Sequence, residues 1–471
     1  MAIATATHDE NGRPRTPEEI ERNWFENVYQ GDKMKQATVR AVAMGMVLGA
    51  VMCLSNVYVG LKAGWSMGVA ITSCILAFVI FQTLTKVFRL DKFTILENNA
   101  MQSAASAAGS MTSAGIVNAI PALMMLNPSA VPPQHILIVW VILISSLGVF
   151  LAVPAKRQYI NIEQLPYPSG TAAATTLRAL HAEGDTAARQ AKALGLAAAL
   201  GAVITWFRDA NIPGGMKAFI PATWGTGWIK GSWLGSRSVT DPVTNLVTQL
   251  PWTLQNYTLA FEGSLLFVAG GALISFRQGW SMLLGAVVNY AILAPHFVAS
   301  GDIATVSFRK ISSWSLWIGV PMMVTSGLLM FLLNWKTVIR AFSTLASFMH
   351  KDPNATVDPM EAIEVPPSWF IGGVLVLGTA IVFLGHYAFN ITWWMGIIAV
   401  LATFLLVVVA ARATGETDVT PVGPISKITQ LTFGAIKPGD VTVNLMTANI
   451  TAGATSHAGD LLTDLKSGYL L

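Results

Sequence analysis

Long apolar runs separated by short polar or charged connections make up most of this chain. The runs approach about 20 residues, the length that a helix needs to cross a bilayer. The pattern therefore predicts an all-α, polytopic integral membrane fold with about 11–13 transmembrane or re-entrant helices. The principal predicted spans are residues 39–59, 67–87, 95–126, 136–153, 192–207, 253–274, 280–298, 314–333, 370–387 and 391–411.

The span that begins at Ile95 is unusually polar for a membrane helix. At about 100° per residue, an arc of roughly 80° of this helix holds Asn98, Gln102, Ser106, Gly109 and Ser113. A second stripe, made mostly of small side chains that let another helix approach closely, holds Ala104, Ala108, Met111 and Gly115. The polar arc is too hydrophilic for lipid, so we expect it to line a wet pathway.

Residues 444–471 form a second polar run of the same kind. If this helix is unbroken, about 80° of its arc holds Asn449, Ser456, Asp460 and Asp464. Each polar run follows a short span and a Gly-rich connection, which indicates internal repeats with broken helices, the arrangement from which many transporters build a central site. The alternative is that Ala, Gly, Ser and Thr recur wherever membrane helices pack closely.

A third feature lies at residues 161–171, where two prolines and a glycine stand beside a predicted helix start. This composition suggests a loop that enters the membrane and exposes a helix N-terminus, with its free N–H groups and partial positive charge. An ordinary surface turn that begins an amphipathic helix explains the same residues equally well.

The first 38 residues form a polar N-terminal segment, and residues 1–15 are expected to be disordered. The sequence Thr16-Pro17-Glu18-Glu19 then supplies a helix cap, a proline at the first helical position and an acid three residues after the cap. The short helix that follows carries Ile20, Trp24, Phe25 and Val28 at helical spacing. It lies either in the membrane interface or against the rest of the protein.

Residues 39–471 are predicted to form one transmembrane domain. Within it, helical groups at residues 39–208 and 253–412 flank a Trp- and Gly-rich external segment at residues 209–252, and a repeat-like region follows at residues 413–471. Three tryptophans at near-helical spacing favour interfacial anchoring of the external segment over a cofactor-binding cluster. They are Trp224, Trp228 and Trp233.

Basic residues at the ends of the apolar runs predict the orientation. Basic residues on either side of the first two spans, and after the fourth, all place the N-terminus in the cytoplasm. The protein is therefore expected to be a multi-pass protein of the cell (plasma or inner) membrane. These basic residues are Lys33, Lys35, Arg40, Lys86, Arg89, Lys92, Lys156 and Arg157, and a later cytoplasmic loop carries Lys336, Arg340 and Lys351. Arg309 and Lys310 fall on the opposite side by this count, which conflicts with one predicted boundary.

The composition supports a membrane protein, because 53% of the residues are hydrophobic and 11% are charged, against about 25% charged in a soluble domain. The net charge of +4 arises from residues at the ends of apolar runs, so no nucleic-acid partner is expected. Cys53 and Cys74 lie inside apolar runs and predict no disulfide framework. Since no nucleophile elbow, zinc motif or P-loop is present, we expect no enzyme activity, resident metal or cofactor.

The residues at 161–181 resemble the signature of the oligopeptide transporter (OPT) family, which includes the yellow-stripe-like metal-chelate carriers. The heart of the match is Leu165-Pro166-Tyr167-Pro168-Ser169-Gly170-Thr171-Ala172, and Val57 to Trp65, Glu97 to Gly109 and Gly415 to Leu471 match in the same order. The resemblance implies an all-helical, proton-coupled secondary transporter. Its cargo would be short peptides or peptide-like metal chelates.

Two departures narrow this resemblance. The chain lacks the Asn-Pro-Gly and Lys-Ile-Pro-Pro-Arg motifs of the eukaryotic peptide-transporter branch, which leaves the yellow-stripe-like and prokaryotic branches. The chain also stops at Leu471, inside a motif after which family members continue with several more spans. We therefore expect further helices of the family fold to lie beyond this sequence.

The two polar helices and the break between them supply the candidate cargo-binding residues, because amides and hydroxyls suit a zwitterionic peptide. These candidates are Asn98, Asn99, Gln102, Ser106, Tyr167, Ser169, Thr171, Asn444 and Asn449. The three segments are expected to converge near the middle of the membrane. A passive channel and a membrane-embedded enzyme remain alternatives, and the sequence leaves the cargo and any homo-oligomer open.

Proton coupling needs an ionisable group in a dry, alternately exposed place. The candidates are Glu97, Glu163, Glu416, Asp418, Asp460 and Asp464, with Glu262 and His386 behind them. Glu97 is alternatively a helix-end charge beside Arg89 and Lys92. The two aspartates of the last helix alternatively pair with Lys466 or with residues of the helices expected beyond this sequence. His386 and His457 are expected to be hydrogen-bonded structural residues.

Overall fold

The computed structural model describes residues 16–64, 66–89, 91–182, 186–209, 223–240, 247–273, 276–333 and 363–471. The predicted disorder of residues 1–15 and the cytoplasmic loop with Lys336, Arg340 and Lys351 lie outside these ranges. The chain forms two compact units, one made of Met1–Ala191 and Val324–Leu471, the other of Lys192–Met323.

Helices dominate both units, so the all-α prediction is confirmed. In chain order they are α1 (Pro17–Asn27), α2 (Val39–Ala63), α3 (Ala70–Phe88), α4 (Ile95–Gly109), α5 (Ala119–Leu126), α6 (Gln134–Lys156), α7 (Pro168–His181), α8 (Thr186–Asp209), α9 (Leu265–Leu273), α10 (Phe276–Val287), α11 (Ala294–Ala299), α12 (Phe308–Leu333), α13 (Pro367–Phe389), α14 (Trp393–Thr417), α15 (Val422–Ile436) and α16 (Val441–Leu470). Short 3₁₀ or π segments continue several of them, notably Ser110–Ala114, Arg157–Ile162 and Val288–Leu293.

Seven helical runs of the described residues are long and apolar enough to cross a membrane, as a polytopic fold requires. They are Val39–Lys62, Ala70–Phe88, Ile95–Leu126, Gln134–Ile162, Phe276–Ala299, Pro367–Phe389 and Trp393–Thr417. Of the ten predicted spans, those at residues 192–207, 253–274 and 314–333 are not among these seven. Helix α16 is long enough to span a bilayer but is too polar to be among the seven.

The second unit contains two short antiparallel strand pairs that the sequence did not predict. Strand β1 (Thr223–Gly225) pairs with β4 (Ala260–Glu262), and β2 (Ser236–Thr240) pairs with β3 (Val247–Pro251). Trp224 lies in β1 and Trp233 in a short 3₁₀ turn, and the interfacial anchoring of these tryptophans stays a prediction. The predicted span at residues 253–274 is wrong at its start, since turns and β4 occupy its first residues and α9 begins only at Leu265.

The first unit is built around α16, in which 22 of 30 residues are buried. Small side chains let its neighbours approach to backbone contact. A side chain added to Gly148 of α6 would meet the Ala454 carbonyl, and one added to Gly170 of α7 would meet the Thr463 carbonyl. Such contacts replace the hydrophobic driving force that helices lack inside lipid. This explains how a helix so rich in Ala, Gly, Ser and Thr forms the core.

Helices α2 and α4 meet through the small-residue stripe predicted from the sequence. A β-carbon added to Gly45 would lie 2.6 Å from the Ala104 Cβ, and one added to Gly49 would lie 2.6 Å from the Ala108 Cβ. The stripe is thus confirmed for the two alanines. Gly115 does not belong to it, because the chain breaks after Gly109 and turns Gly115 toward Asn449.

We expect Gly49→Val to destabilise the protein by about 1–3 kcal/mol, because the added atoms must push α2 away from α4. Gly372→Val is the matched control, since Gly372 is also helical but has open space where the side chain would go. Thermal unfolding in detergent measures both variants. An equal loss of stability in the two would show that the contact between α2 and α4 is not responsible.

Helix α1 packs on the protein, which decides between the two alternatives for this segment. The Trp24 ring stacks on Tyr469 at 4.9 Å, and its Nε1 donates to the Tyr469 carbonyl at 2.8 Å. Glu21 accepts two hydrogen bonds from Arg157, at 2.8 and 3.0 Å. The predicted capping box of Thr16 and Glu19 is present. Helix α1 therefore covers the C-terminal end of α16.

Candidate functional site

The two polar helices that looked like repeat partners lie side by side and antiparallel. The Ser467 hydroxyl donates to Asn99 Oδ1 at 2.6 Å, near the start of α4 and the end of α16. At the opposite end of the pair, Asn127 Nδ2 donates to the Thr442 hydroxyl at 3.2 Å. The predicted convergence of these two segments therefore appears in the structure.

A buried polar cluster lies between α4 and the last third of α16. The fully buried Gln102 Nε2 donates to Ser467 Oγ at 3.0 Å and to Asp464 Oδ1 at 3.4 Å. The Ser106 side chain also lies beside Asp464, and the Ser110 side chain lies beside Asp460. We call Asn99, Gln102, Ser106, Ser110, Asp460, Asp464 and Ser467 the α4–α16 cluster. It contains two carboxylates one helical turn apart.

Neither carboxylate of this cluster has a cationic partner among the residues that the structure describes. The suggested pairing with Lys466 is wrong, because Lys466 is about 200° around the helix from Asp464. Its ammonium group instead reaches the side-chain oxygen of Gln164, at 3.4 Å. The three residues are close in the sequence, but the helix puts Lys466 on a different face from Asp460 and Asp464.

The other predicted acids have definite partners. Glu97 is fully buried, and its carboxylate accepts hydrogen bonds from Arg40 at 2.7 and 2.8 Å and from Thr38 at 2.6 Å. Arg412 forms ion pairs with Glu163 at 2.5 Å and with Glu416 at 2.8 Å. The alternative of a helix-end charge thus describes Glu97 better than a titrating site does.

The residues after the π-helical turn at Arg157–Ile162 enter the interior. The buried Tyr167 donates its N–H to the Gly415 carbonyl at 2.9 Å and its hydroxyl to the Ala411 carbonyl at 3.0 Å. From there α7 follows the last turns of α16 in the same direction, with Gly170 against Thr463 and Arg178 donating to the Leu470 carbonyl. These contacts favour a loop that enters the helix bundle over a surface turn.

The N-terminus of α7 is capped by a carboxylate of the protein itself. Asp418 follows the last residue of α14 and has a φ of 65°. Its carboxylate accepts hydrogen bonds from the Ser169 N–H at 2.8 Å and from the Ser169 hydroxyl at 2.5 Å. Thr171 donates its hydroxyl to the Pro166 carbonyl at 2.6 Å. Ser169 is exposed, whereas Gln102 is fully buried, so the structure brings both segments to α16 without joining them in one cluster.

The side chain of Asn449 contacts the backbone where the helix is interrupted between α4 and α5. Its Nδ2 donates to the Ala114 carbonyl at 3.0 Å, and its Oδ1 accepts from Trp140 Nε1 at 2.8 Å. Gly115 has a φ of 126°, and a β-carbon there would lie 2.8 Å from the Asn449 amide. Asn449 therefore satisfies a carbonyl that the broken helix leaves open. Ser113, in the 3₁₀ turn, no longer continues the polar arc of α4.

Asn444 lies away from the α4–α16 cluster and donates to the Gln430 carbonyl at 2.7 Å. Near it, a cavity of about 540 Å³ is lined by Leu126, Asn127 and residues 438–442. Burial alone would raise the pKa of Asp440, but hydrogen bonds from Lys437 and the Val443 N–H outweigh it and hold the pKa below its usual range. Asp440 thus stays ionised at the N-terminus of α16.

The remaining candidates have local roles. Asn98 Nδ2 donates to the Cys74 carbonyl at 3.3 Å, and its buried Oδ1 has no partner among the described residues. His386 bonds the Ile391 carbonyl and His457 bonds Ser145, as expected of structural histidines. Glu262 lies exposed in β4. Within the described ranges, no group of three or more His, Cys, Asp or Glu residues could hold a metal ion.

Lys466 is a candidate functional residue that the sequence analysis does not include. It is 2% exposed, and the sequence pattern suggests for it only an ion pair with the neighbouring aspartates. The available signal was an ionisable residue inside a run of membrane-spanning length, which is by default a candidate for function.

Comparison with known proteins places these features in one family. The family described as "OPT oligopeptide transporter protein" matches residues 36–471. A Saccharomyces cerevisiae protein named as an oligopeptide transporter is 24% identical over 93% of the chain and 74% of its own length. One of Haemophilus influenzae, also named as an oligopeptide transporter, is 25% identical over 88% and 65%. An Arabidopsis thaliana protein named as a metal-nicotianamine transporter is 23% identical over 93% and 64%. The chain thus spans 64% to 74% of the length of these relatives.

Proposed function

The chain belongs to the family of OPT oligopeptide transporters, and on that premise we propose that it is a proton-coupled symporter of short peptides or peptide-like metal chelates. The names of its relatives support both cargo classes, since two are named for oligopeptides and one for metal-nicotianamine. The observation that carries the proposal is the pair formed by the buried Asp464 and the partly buried Asp460. The relatives named as transporters also argue against an enzyme.

The aspartate pair suits proton carriage because of its surroundings. The Cβ atoms of residues at i and i+4 on a helix lie about 5–6 Å apart, so the two carboxylates are neighbours. In a buried place without a cation, both cannot be charged at low cost, so a proton held by the pair is favoured. Uncharged polar side chains surround the pair, namely Gln102 and Ser106 of α4 and Ser110 of the 3₁₀ segment that follows it.

The α4–α16 cluster also offers the polar contacts that a peptide needs. Its amides and hydroxyls, chiefly those of Asn99, Gln102 and Ser106, bond one another or Asp464 in this conformation. In the proposed cycle they exchange these bonds for bonds to cargo when the two helices separate. Tyr167, Asn444 and Asn449 are assigned structural roles instead, because their polar groups bond the neighbouring backbone or Trp140.

The orientation and setting belong to the same proposal. We propose that the protein lies in the plasma or inner membrane of the cell. Helix α1 and the N-terminus are then on the cytoplasmic side. Support comes from the basic residues that cluster at the same ends of the helices, such as Lys35, Arg40 and Arg157. A cysteine introduced at an exposed position of α1, for example Glu26→Cys, should react with an impermeant reagent only after the membrane is opened.

Uptake into proteoliposomes tests the function. Labelled trialanine and nickel–nicotianamine are offered with and without an inward proton gradient. Accumulation above the outside concentration that depends on the gradient supports a symporter. Equilibration without accumulation would indicate a passive channel, and chemical conversion of the label would indicate a membrane-embedded enzyme. Failure to take up either compound under any condition would contradict the transporter assignment.

A further inference from the structure

Lys466 is a buried cation without a counter-ion. It is 2% exposed, and among the described residues no carboxylate lies within ion-pairing distance of its Nζ. Its contacts are one hydrogen bond of 3.4 Å to Gln164 Oε1 and the ring of Tyr469, with Nζ 5.5 Å from the ring centroid. An ammonium group has three N–H donors, so most of its hydrogen-bonding capacity is unused.

Such an arrangement is costly unless an anion completes it. An unpaired charge that is taken out of water loses several kcal/mol of solvation free energy, and attraction to a partner of opposite charge must offset this loss. Lysines are accordingly almost never fully buried unless they are paired. The burial of Lys466 therefore points to a negatively charged group that is bound during part of the transport cycle.

Gln164 occupies the place where that anion would bind. Its amide group donates to the Asn161 carbonyl and to the Tyr469 hydroxyl, both at 2.8 Å, and offers its oxygen to Lys466. The Gln164 backbone has a φ of 52°, a conformation that non-glycine residues adopt rarely. The neutral oxygen of Gln164 is thus held at Lys466 by a strained loop.

The same loop leads directly into α7, whose first turn packs on Lys466. A β-carbon added to Gly170 would lie 3.3 Å from the Lys466 Cβ. The N-terminus of α7 is itself capped by Asp418, so Lys466 is the source of positive potential at this point.

We propose that Lys466 is the subsite for a carboxylate group of the cargo, which displaces the oxygen of Gln164 when it binds. The inference rests on the proposed transport function and sharpens it, because it names the part of the cargo that is recognised. A peptide supplies this group as its C-terminal carboxylate, and an aminocarboxylate chelate supplies it as one of its acidic arms. Lys466 is therefore a specificity residue and not only a structural cation.

The test compares cargo with and without the charge. Wild-type proteoliposomes should take up trialanine about 10- to 100-fold better than trialanine amide, the range expected for one hydrogen-bonded charge. Lys466→Gln should remove most of that preference by lowering trialanine uptake, and Lys466→Arg should retain it in part. For the chelate source, Lys466→Gln should lower nickel–nicotianamine uptake by a similar factor.

Lys62→Gln is the matched control. Lys62 also makes one 3.4 Å hydrogen bond and lies over a tyrosine ring, at 5.8 Å, but it is exposed on α2. A second variant, Gln164→Glu, puts a carboxylate beside Lys466 and should raise the KM for trialanine about tenfold while leaving that for the amide nearly unchanged. This variant keeps the lysine and so tests the subsite even if Lys466→Gln folds poorly.

Three outcomes separate the proposals. Loss of the acid-over-amide preference, or of chelate uptake, in Lys466→Gln but not in Lys62→Gln supports the subsite, and the affected compound identifies its source. Wild-type uptake that Lys466→Gln and Gln164→Glu leave unchanged overturns the subsite but not the transport function. A wild type that takes up neither compound overturns both.

Discussion

Proteoliposomes that contain the Asp464→Asn variant are expected to equilibrate labelled trialanine without accumulating it. Asp464 is 5% exposed and lies beside Asp460, and an amide in its place cannot carry a proton. With a gradient of two pH units, one coupled proton can support up to about 100-fold accumulation, since each unit corresponds to about 1.4 kcal/mol. The variant should lose that factor while exchange of labelled for unlabelled trialanine persists.

Asp91→Asn serves as the control for this experiment. Asp91 is exposed, pairs with Lys35 at 2.9 Å and lies in the loop before α4. Its hydrogen bond and charge interaction with Lys35 lower the pKa of this carboxyl, so Asp91 is ionised at neutral pH. The Asp91→Asn variant should accumulate trialanine as the wild type does. Gradient-driven accumulation by both Asp464→Asn and Asp460→Asn would remove the pair from the coupling mechanism.

Glu97→Gln is expected to cost about 3–5 kcal/mol of folding stability, because it leaves the guanidinium of Arg40 without its buried partner. The carboxylate of Glu97 also accepts from Thr38 and from the Thr94 N–H, so one substitution weakens the joint between α2 and the start of α4. Thermal unfolding in detergent and the yield of folded protein measure the effect. Molecules that do fold should still accumulate cargo with the gradient.

A double variant distinguishes this structural role from proton coupling. Arg40→Gln together with Glu97→Gln removes both charges and should recover part of the lost stability, because no unpaired ion remains. If Glu97 carried the proton, folded Glu97→Gln protein would instead equilibrate its cargo as expected for Asp464→Asn. That outcome would move the coupling site to the beginning of α4.

The contrast between Glu97 and Asp464 shows what a sequence can and cannot predict about such a site. Both are acids on polar membrane helices, and the sequence treated them alike. The difference arises from partners distant in the chain, since Arg40 reaches Glu97 from α2, whereas no described cation reaches Asp464. Helical periodicity predicts which face a residue occupies but not which neighbour faces it.

Other elements divide in the same way. Periodicity predicted the small-residue stripe of Ala104 and Ala108, and α2 packs there. It could not predict that α4 ends at Gly109, because nothing local forces the break; Asn449, more than 300 residues away, bonds the carbonyl that the break exposes. The strand pairs of the second unit were not predicted, because β1 and β4 join residues that are far apart in the sequence.

By itself, the sequence determined the fold class, most spans, the two polar helices and the family, because hydropathy, periodicity and a specific motif are properties of the chain alone. Only the tertiary structure decided which charges are paired, that α1 packs on the end of α16, and that Lys466 turns away from the aspartates toward Gln164. The physical reason is that the cost of a buried charge depends on its surroundings, and residues far apart in the sequence supply them.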